Sequence, residues 1–308
     1  MNDIRFSVIL LTYNSSIDDI KSTLKSILNQ NFIGYEIIVA DDASNNFPRN
    51  EVEEIFKSYN YTNYTLCISD INKGTVKNYL GALKRAKGIV AKPIGAGDLL
   101  FDENALQHMY DFIVDNGYIM AFGRYKSFTF DSSGYVFADT MFAPRDIEAY
   151  KKGSIKEIKY NLLFSKDYIC GAAIFGKTSS LIEYVSKIEP VVIYSEDFSS
   201  IYAAYEDKLI GFLDKYIVYY ENSAGISHNE TNGNNRLLKD SDAFWNYISE
   251  ITSDKKLKRI IKRDKHAYSI KNRVLKELYR IIFVHPFMVK KYRKPIIIDK
   301  EIKGFLER

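Results

Sequence analysis

Carboxylates stand where this chain could do chemistry: Asp41-Asp42, Asp98 and the adjacent pair Glu196-Asp197. A carboxylate can accept an N–H, help hold a divalent ion, or take up a proton. Each group also has a plain structural reading. Asp residues cap turns, and paired acids at a helix start oppose its dipole. No Ser-His-Asp or Cys-His constellation competes with them, and no glycine-rich phosphate loop ending in Lys-Ser/Thr is present.

The elements that must carry these residues alternate strand and helix over the first hundred positions. Phe6–Tyr13 is a short apolar, β-rich run ending in polar Asn14-Ser15-Ser16, and Ile17–Asn29 has helical spacing. Tyr35–Ala40 predicts a second strand, Glu51–Tyr59 a helix and Tyr64–Ser69 a third strand. Val76–Ala86 predicts a helix, and Ile89–Ile94 a fourth strand closing on Gly95-Ala96-Gly97-Asp98. This order predicts an α/β fold, a mostly parallel sheet with helices on both faces. Ligands of such sheets bind beyond the carboxyl ends of the strands. Thr12-Tyr13-Asn14, Asp41-Asp42 and Asp98 all fall there. From Asn104 to Asn222 the pattern is mixed, with a helix at Ala105–Asn116 and strands at Tyr118–Phe122, Tyr125–Phe130 and Lys215–Tyr220. Ser223–Asn235 reads as a loop, and the chain beyond about Asp240 as helical and increasingly basic.

Ser7-Val8-Ile9-Leu10-Leu11-Thr12-Tyr13-Asn14, Ile38-Val39-Ala40-Asp41-Asp42-Ala43-Ser44 and Asn72-Lys73-Gly74, taken in order, resemble family 2 glycosyltransferases of the GT-A (Rossmann-like) fold. The resemblance covers roughly residues 4–230. It implies an inverting transferase that moves a sugar from a nucleoside diphosphate, UDP by family habit, to a hydroxyl acceptor. By the same match Thr12, Tyr13, Asn14 and Asp41 border the nucleoside, while Asn72, Lys73 and Lys77 lie near the diphosphate. The family's acidic metal motif aligns with Gly95-Ala96-Gly97-Asp98, where glycine replaces two of its acids. Asp98 is thus the implied donor contact and ligand of a divalent metal, Mn²⁺ or Mg²⁺, with His228 as a second candidate ligand. Tyr194-Ser195-Glu196-Asp197-Phe198 resembles the Glu-Asp pair at the start of a helix below the acceptor, with Asp197 as general base and Glu196 positioning. Ile169–Gly176 resembles the acceptor-side strand.

These matches divide the chain into a catalytic domain over residues 1–235 and a basic helical extension over 236–308. Residues 1–103 would be its nucleotide-binding half and 104–235 its acceptor-binding half. From Asp254 to Arg308 the chain has 18 Lys and Arg against 6 acids, on a body of net −8. Basic residues with interleaved apolar ones over 255–294 suit an anionic membrane surface better than nucleic acid, or else a helix packed on the catalytic domain with a solvated basic face. No stretch reaches the roughly 20 apolar residues of a membrane span, and the first residues lack a signal-peptide pattern. The expectation is a cytoplasmic enzyme, peripheral on the inner face of the cell membrane. It would act on a saccharide or lipid-linked saccharide in surface polysaccharide synthesis, such as lipopolysaccharide or capsule. A homo-oligomer is left open. Cys67 and Cys170 read as two buried thiols in a reducing compartment. The glycines at 95 and 97 keep one alternative, a degenerate homologue that binds nucleotide or glycan as an assembly partner.

Overall fold

The computed structural model describes residues 3–132, 134–222, 233–288 and 293–307. Strands and helices alternate through the first part: β1 (Phe6–Thr12), α1 (Ile17–Leu28), β2 (Tyr35–Asp41), α2 (Arg49–Ser58), β3 (Tyr64–Ile68), α3 (Thr75–Leu83) and β4 (Val90–Gly95). Then come β5 (Leu99–Leu100), α4 (Ala105–Asn116), β6 (Met120–Asp131), β7 (Gly134–Phe137), β8 (Thr140–Met141), α5 (Glu148–Lys151) and α6 (Ile155–Leu163). A 3-10 turn at Gly171–Ala173 leads into β9 (Ile174–Lys177), α7 (Thr178–Ile188), α8 (Phe198–Tyr205) and β10 (Ile210–Glu221). Last are α9 (Gly233–Ile251), α10 (Lys255–Ser269), α11 (Arg273–Phe283) and β11 (Ile296–Ile297).

Among the described residues the main sheet has nine strands in the order β3-β2-β1-β4-β9-β6-β10-β5, with β7 on β6. β3, β2, β1 and β4 are parallel, as are β6 and β10; β9 is antiparallel between β4 and β6. β1 and β2 are nearly continuous apolar runs because both faces are covered by helices. The expected mostly parallel α/β sheet is therefore present. Thr12 pairs with Asp41 and Leu11 with Gly95, so the polar strand ends meet along one edge.

Some boundaries differ for physical reasons. The two strands expected at 118–122 and 125–130 are one, β6, running through Gly123-Arg124. An ideal Cβ on Gly123 would come within 2.8 Å of Ile217, and Arg124 pairs with Asp214 across the strand pair. The apolar interruption is thus a close contact and an ion pair, not a turn. Cys67 and Cys170 are free thiols, half-buried rather than buried.

The boundary expected at residue 235 does not separate two cores. Phe244, Trp245 and Ile248 of α9 and Leu257, Ile260 and Ile261 of α10 belong to the same cluster as Phe6 and Val8. Nor is the last part helical throughout. β11 pairs with β8, Phe305 N donates to Phe101 O at 2.9 Å, and Gly304 N donates to the Tyr219 hydroxyl at 2.9 Å. None of the helices among the described residues is long and apolar enough to cross a membrane.

Candidate active site

Loops following β1 and β2 close one side of a cavity of about 630 Å³. Asp41 ends β2 fully buried, and its carboxylate accepts from Thr12 Oγ1 at 2.8 Å and from Ser44 N and Oγ at 2.8 and 2.5 Å. Asn14 adopts a left-handed φ of 49°; its N donates to Ser44 Oγ and its Oδ1 accepts from Asn45 N. These bonds tie the two loops together. Asp42 does different work: its oxygens accept from Lys73 N and Gly74 N, each at 2.8 Å. That clamp sets the start of α3 beside the cavity.

Gly74 is needed at this clamp. Its φ is +83°, and an ideal Cβ would lie 2.3 Å from Ile193 Cγ2 and 2.7 Å from Ile193 O. Gly74→Ala should therefore cost about 3 kcal/mol or more, from left-handed strain plus overlap with backbone. Urea unfolding of the variant beside the wild type measures it; a loss below about 1 kcal/mol would show that the chain relaxes freely there.

Asp98 follows β4 with its Oδ1 accepting from Glu221 N at 2.9 Å. Burial pushes its carboxyl up to about 7, helped by the Glu221 charge and opposed by the Glu221 N–H bond and then by Lys92. Lys92 is fully buried, and its ammonium donates to the carbonyls of Pro93 (3.0 Å), Ala172 (2.6 Å) and Ile174 (3.4 Å). It thereby pins β4 to the acceptor-side segment. Desolvation pushes Lys92 down to about 8, resisted chiefly by Asp98.

The residues here fit a divalent ion held largely by its substrate. An ideal Cβ on Gly95 would sit in ordinary contact, 3.6 Å, with Asp98 Oδ2, and Gly95 itself places no side chain around that carboxylate. Among the described residues no three His, Cys, Asp or Glu side chains converge as a ligand set. Asp98 would be a protein ligand, with diphosphate and water oxygens completing most of the shell, as Mg²⁺ commonly allows.

Asp197 stands at the N-cap position of α8, without a side-chain capping bond, and Glu196 precedes it. Both line the cavity. Gly171 makes room for the pair, since a Cβ there would lie 3.2 Å from Glu196 Oε1 and 3.4 Å from Asp197 Cβ. Burial raises both carboxyls above the ordinary range; beyond burial, Asp197 raises Glu196, and Asp240 raises Asp197. Asp240, on α9, is 3% exposed and accepts from the backbone N of Ile193 (3.1 Å), Tyr194 (2.6 Å) and Ser195 (2.9 Å). One buried carboxylate thus holds the turn that presents the pair. Arg236, a turn earlier on α9, stacks 5.2 Å over the Tyr194 ring and is the Lys, Arg or His side chain that lines the cavity among the described residues.

Of the residues expected at the site, Thr12, Tyr13, Asn72, Asp98, Glu196 and Asp197 line one cavity. Asn14, Asp41, Lys73 and Lys77 do not. Asp41 spends its carboxylate inside the loop, Lys73 offers its backbone N to Asp42, and Lys77 pairs with Glu189 at 3.3 Å. His228 lies outside the described residues. Sequence reading missed Asp240, Arg236 and Lys92. Only Lys92 had a visible signal: a charge beside Pro93 within an otherwise apolar central strand.

A Rossmann-like sheet with carboxylates gathered across a cavity at its strand ends is the frame of a nucleotide-sugar transferase. The glycosyl transferase family 2 profile matches residues 7–184, more than half of the chain, and the chain belongs to that family. It is a glycosyltransferase. Its fold is similar to that of Staphylococcus aureus TarS residues 1–349 solved with UDP-GlcNAc, at 19% identity and a TM-score of 0.58, covering 93% of this chain and 81% of that one. A second structure of TarS 1–349 matches over 99% of both chains at 19% identity and a TM-score of 0.53. No curated protein matches the chain.

Proposed function

We propose that this protein is an inverting transferase that passes a sugar from a nucleoside diphosphate, UDP in the first instance, to a hydroxyl of a saccharide or lipid-linked saccharide in cell-surface polysaccharide synthesis. The observation that carries this reading is the placement of Asp197 at the start of α8, facing a cavity shared with Asp98 and the ends of β1 and β4. UDP-GlcNAc is bound by TarS in the similar structure, which makes UDP the first nucleotide to try.

In this reading Asp197 accepts the acceptor's hydroxyl proton as that oxygen attacks the anomeric carbon. The bond from the anomeric carbon to the β-phosphate oxygen breaks, and its electron pair leaves with the nucleoside diphosphate. Arg236, as a forked cation at the cavity wall, neutralises charge on the departing diphosphate. A divalent ion, when bound, supplies further positive charge to the same oxygens. Asp41 acts through Thr12 and Ser44, holding the nucleoside-side loop in shape. A lipid-linked acceptor would put the enzyme at the inner membrane face, with the cations of 255–294 toward that surface.

Thermal melting with UDP and Mn²⁺ at several pH values tests the donor and metal roles without requiring turnover. Asp98 must lose its proton to bind an ion, so the Mn²⁺-dependent part of the stabilisation should grow as pH rises through about 7. At nucleotide one hundredfold above its Kd the stabilisation should reach about 2.7 kcal/mol. Asp98→Ala should lose the Mn²⁺-dependent part and its pH dependence. An unchanged Mn²⁺ response in Asp98→Ala would remove Asp98 from the metal role; no UDP response at all would remove the donor assignment.

A further inference from the structure

The basic segment over 255–294 folds into two helices with different fates. α10 has its apolar face occupied: Leu257, Ile260 and Ile261 pack into the catalytic core. Asp264, on the same face, pairs with Lys166. α11 has none of its residues buried. Tyr279 and Phe283 stack at 4.8 Å and turn toward α10, where His266 lies 5.0 Å from Tyr279 and Arg263 lies 5.3 Å over Phe283. The helix is thus anchored along one side. A second apolar stripe is left bare: Val274 is 68% exposed, Leu275 58%, Leu278 51%, Ile281 56% and Ile282 61%. At helical spacing these five share about a third of the circumference, a face distinct from the one bearing Tyr279 and Phe283.

We infer that α11 is a membrane-surface element that beds the stripe Val274, Leu275, Leu278, Ile281 and Ile282 in the headgroup region of an anionic bilayer. This rests on the reading of a membrane-delivered acceptor and assigns its docking to one helix face. Charge selects the occupant. Residues 255–294 carry 15 Lys and Arg against 2 acids, and on α11 itself Arg273, Lys276 and Arg280 lie on the side opposite the stripe, as the polar face of an amphipathic helix does. A bilayer with anionic headgroups satisfies both a bare apolar stripe and the strongly cationic segment that carries it. Two copies meeting through this segment would instead bring two strongly cationic stretches together. The short helix has no length to span, so it lies in the interface plane, carried by α10 on the catalytic domain.

Sedimentation of the full chain with phosphatidylcholine vesicles, with and without phosphatidylglycerol, tests this. Wild type should pellet with the phosphatidylglycerol vesicles at low salt and less at high salt. The double variant Leu278→Glu, Ile282→Glu should partition about tenfold or more weakly, since two side chains lose their apolar burial. Both positions are exposed, so its melting temperature should match wild type. Its UDP-dependent stabilisation should also be unchanged, which separates failure of the docking face from failure of the donor site. Wild type staying in the supernatant, or a variant that pellets equally well, overturns the inference. So does a dimer in analytical ultracentrifugation that the variant dissolves, which would make the stripe a seam between copies.

Discussion

Asp197→Asn should reduce sugar transfer by about 10²–10⁴-fold while leaving UDP binding and the fold intact, the range that general base catalysis supplies. The amide is isosteric, and the Asp197 side chain makes no capping hydrogen bond that the change would break, but an amide cannot take the acceptor proton. The wild-type pH profile sharpens the expectation. Burial, and then the Asp240 charge, raises Asp197 above its ordinary value. The active form is the ionised carboxylate, so the rate should fall with decreasing pH through this raised value, well above the pH of about 4 at which a free Asp titrates. Residual activity of Asp197→Asn should lack that acid limb. Stability runs the other way. Because burial favours the protonated carboxyl, the folded protein holds the proton more tightly than the unfolded chain. Stability contributed by the neutral form is present at low pH and declines as pH rises through the raised value. Denaturation of wild type and Asp197→Asn at pH 5 and pH 8 should show a smaller decline in the variant. A variant with wild-type turnover would leave the proton to another group, with the adjacent Glu196 in the same cavity the first to test.

Asp240 should matter nearly as much, although it lies behind the catalytic turn rather than in the cavity wall. Its carboxylate accepts three backbone N–H groups of Ile193, Tyr194 and Ser195, and it raises Asp197. Asp240→Ala leaves those N–H groups without their acceptor, at about 1–3 kcal/mol for each that remains buried. The turn should loosen, and a misplaced base costs about 10²-fold in kcat. Asp240→Asn retains an acceptor oxygen but not the charge. It should keep kcat within about tenfold of wild type and move the acid limb to lower pH, because a raising influence on Asp197 has gone. A purely structural Asp240 would give a destabilised Ala variant and leave the pH profile of the Asn variant in place. Full kinetics of both variants across pH distinguish the outcomes.

Much of the frame was legible in the residues. β1, β2, α1 and α4 fall within a residue or so of their expected limits, since their apolar spacing answers to burial on one side or both. The strand-end position of Thr12, Asp41 and Asp98 followed from the alternation alone. The position of Asp197 at a helix start came instead from the matched family motif. The division of labour between neighbours followed from neither. Asp41 and Asp42 are identical and adjacent, yet one turns inward to Thr12 and Ser44 and the other clamps Gly74 beside the cavity. Only the path of the two loops decides that.

Asp240 and Arg236 were invisible for a related reason. A carboxylate bonded to backbone N–H groups needs no matching side chain, so nothing at Ile193, Tyr194 or Ser195 announces it. The basic tail shows the same limit. Residues 255–294 carry apolar residues at helical spacing throughout, and that pattern cannot tell a face packed on a core from a face left bare. Local periodicity determined that helices form, because it depends on chain neighbours alone. Tertiary structure decided that α10 spends its apolar face on the catalytic core while α11 keeps one open, because burial depends on what lies across the gap.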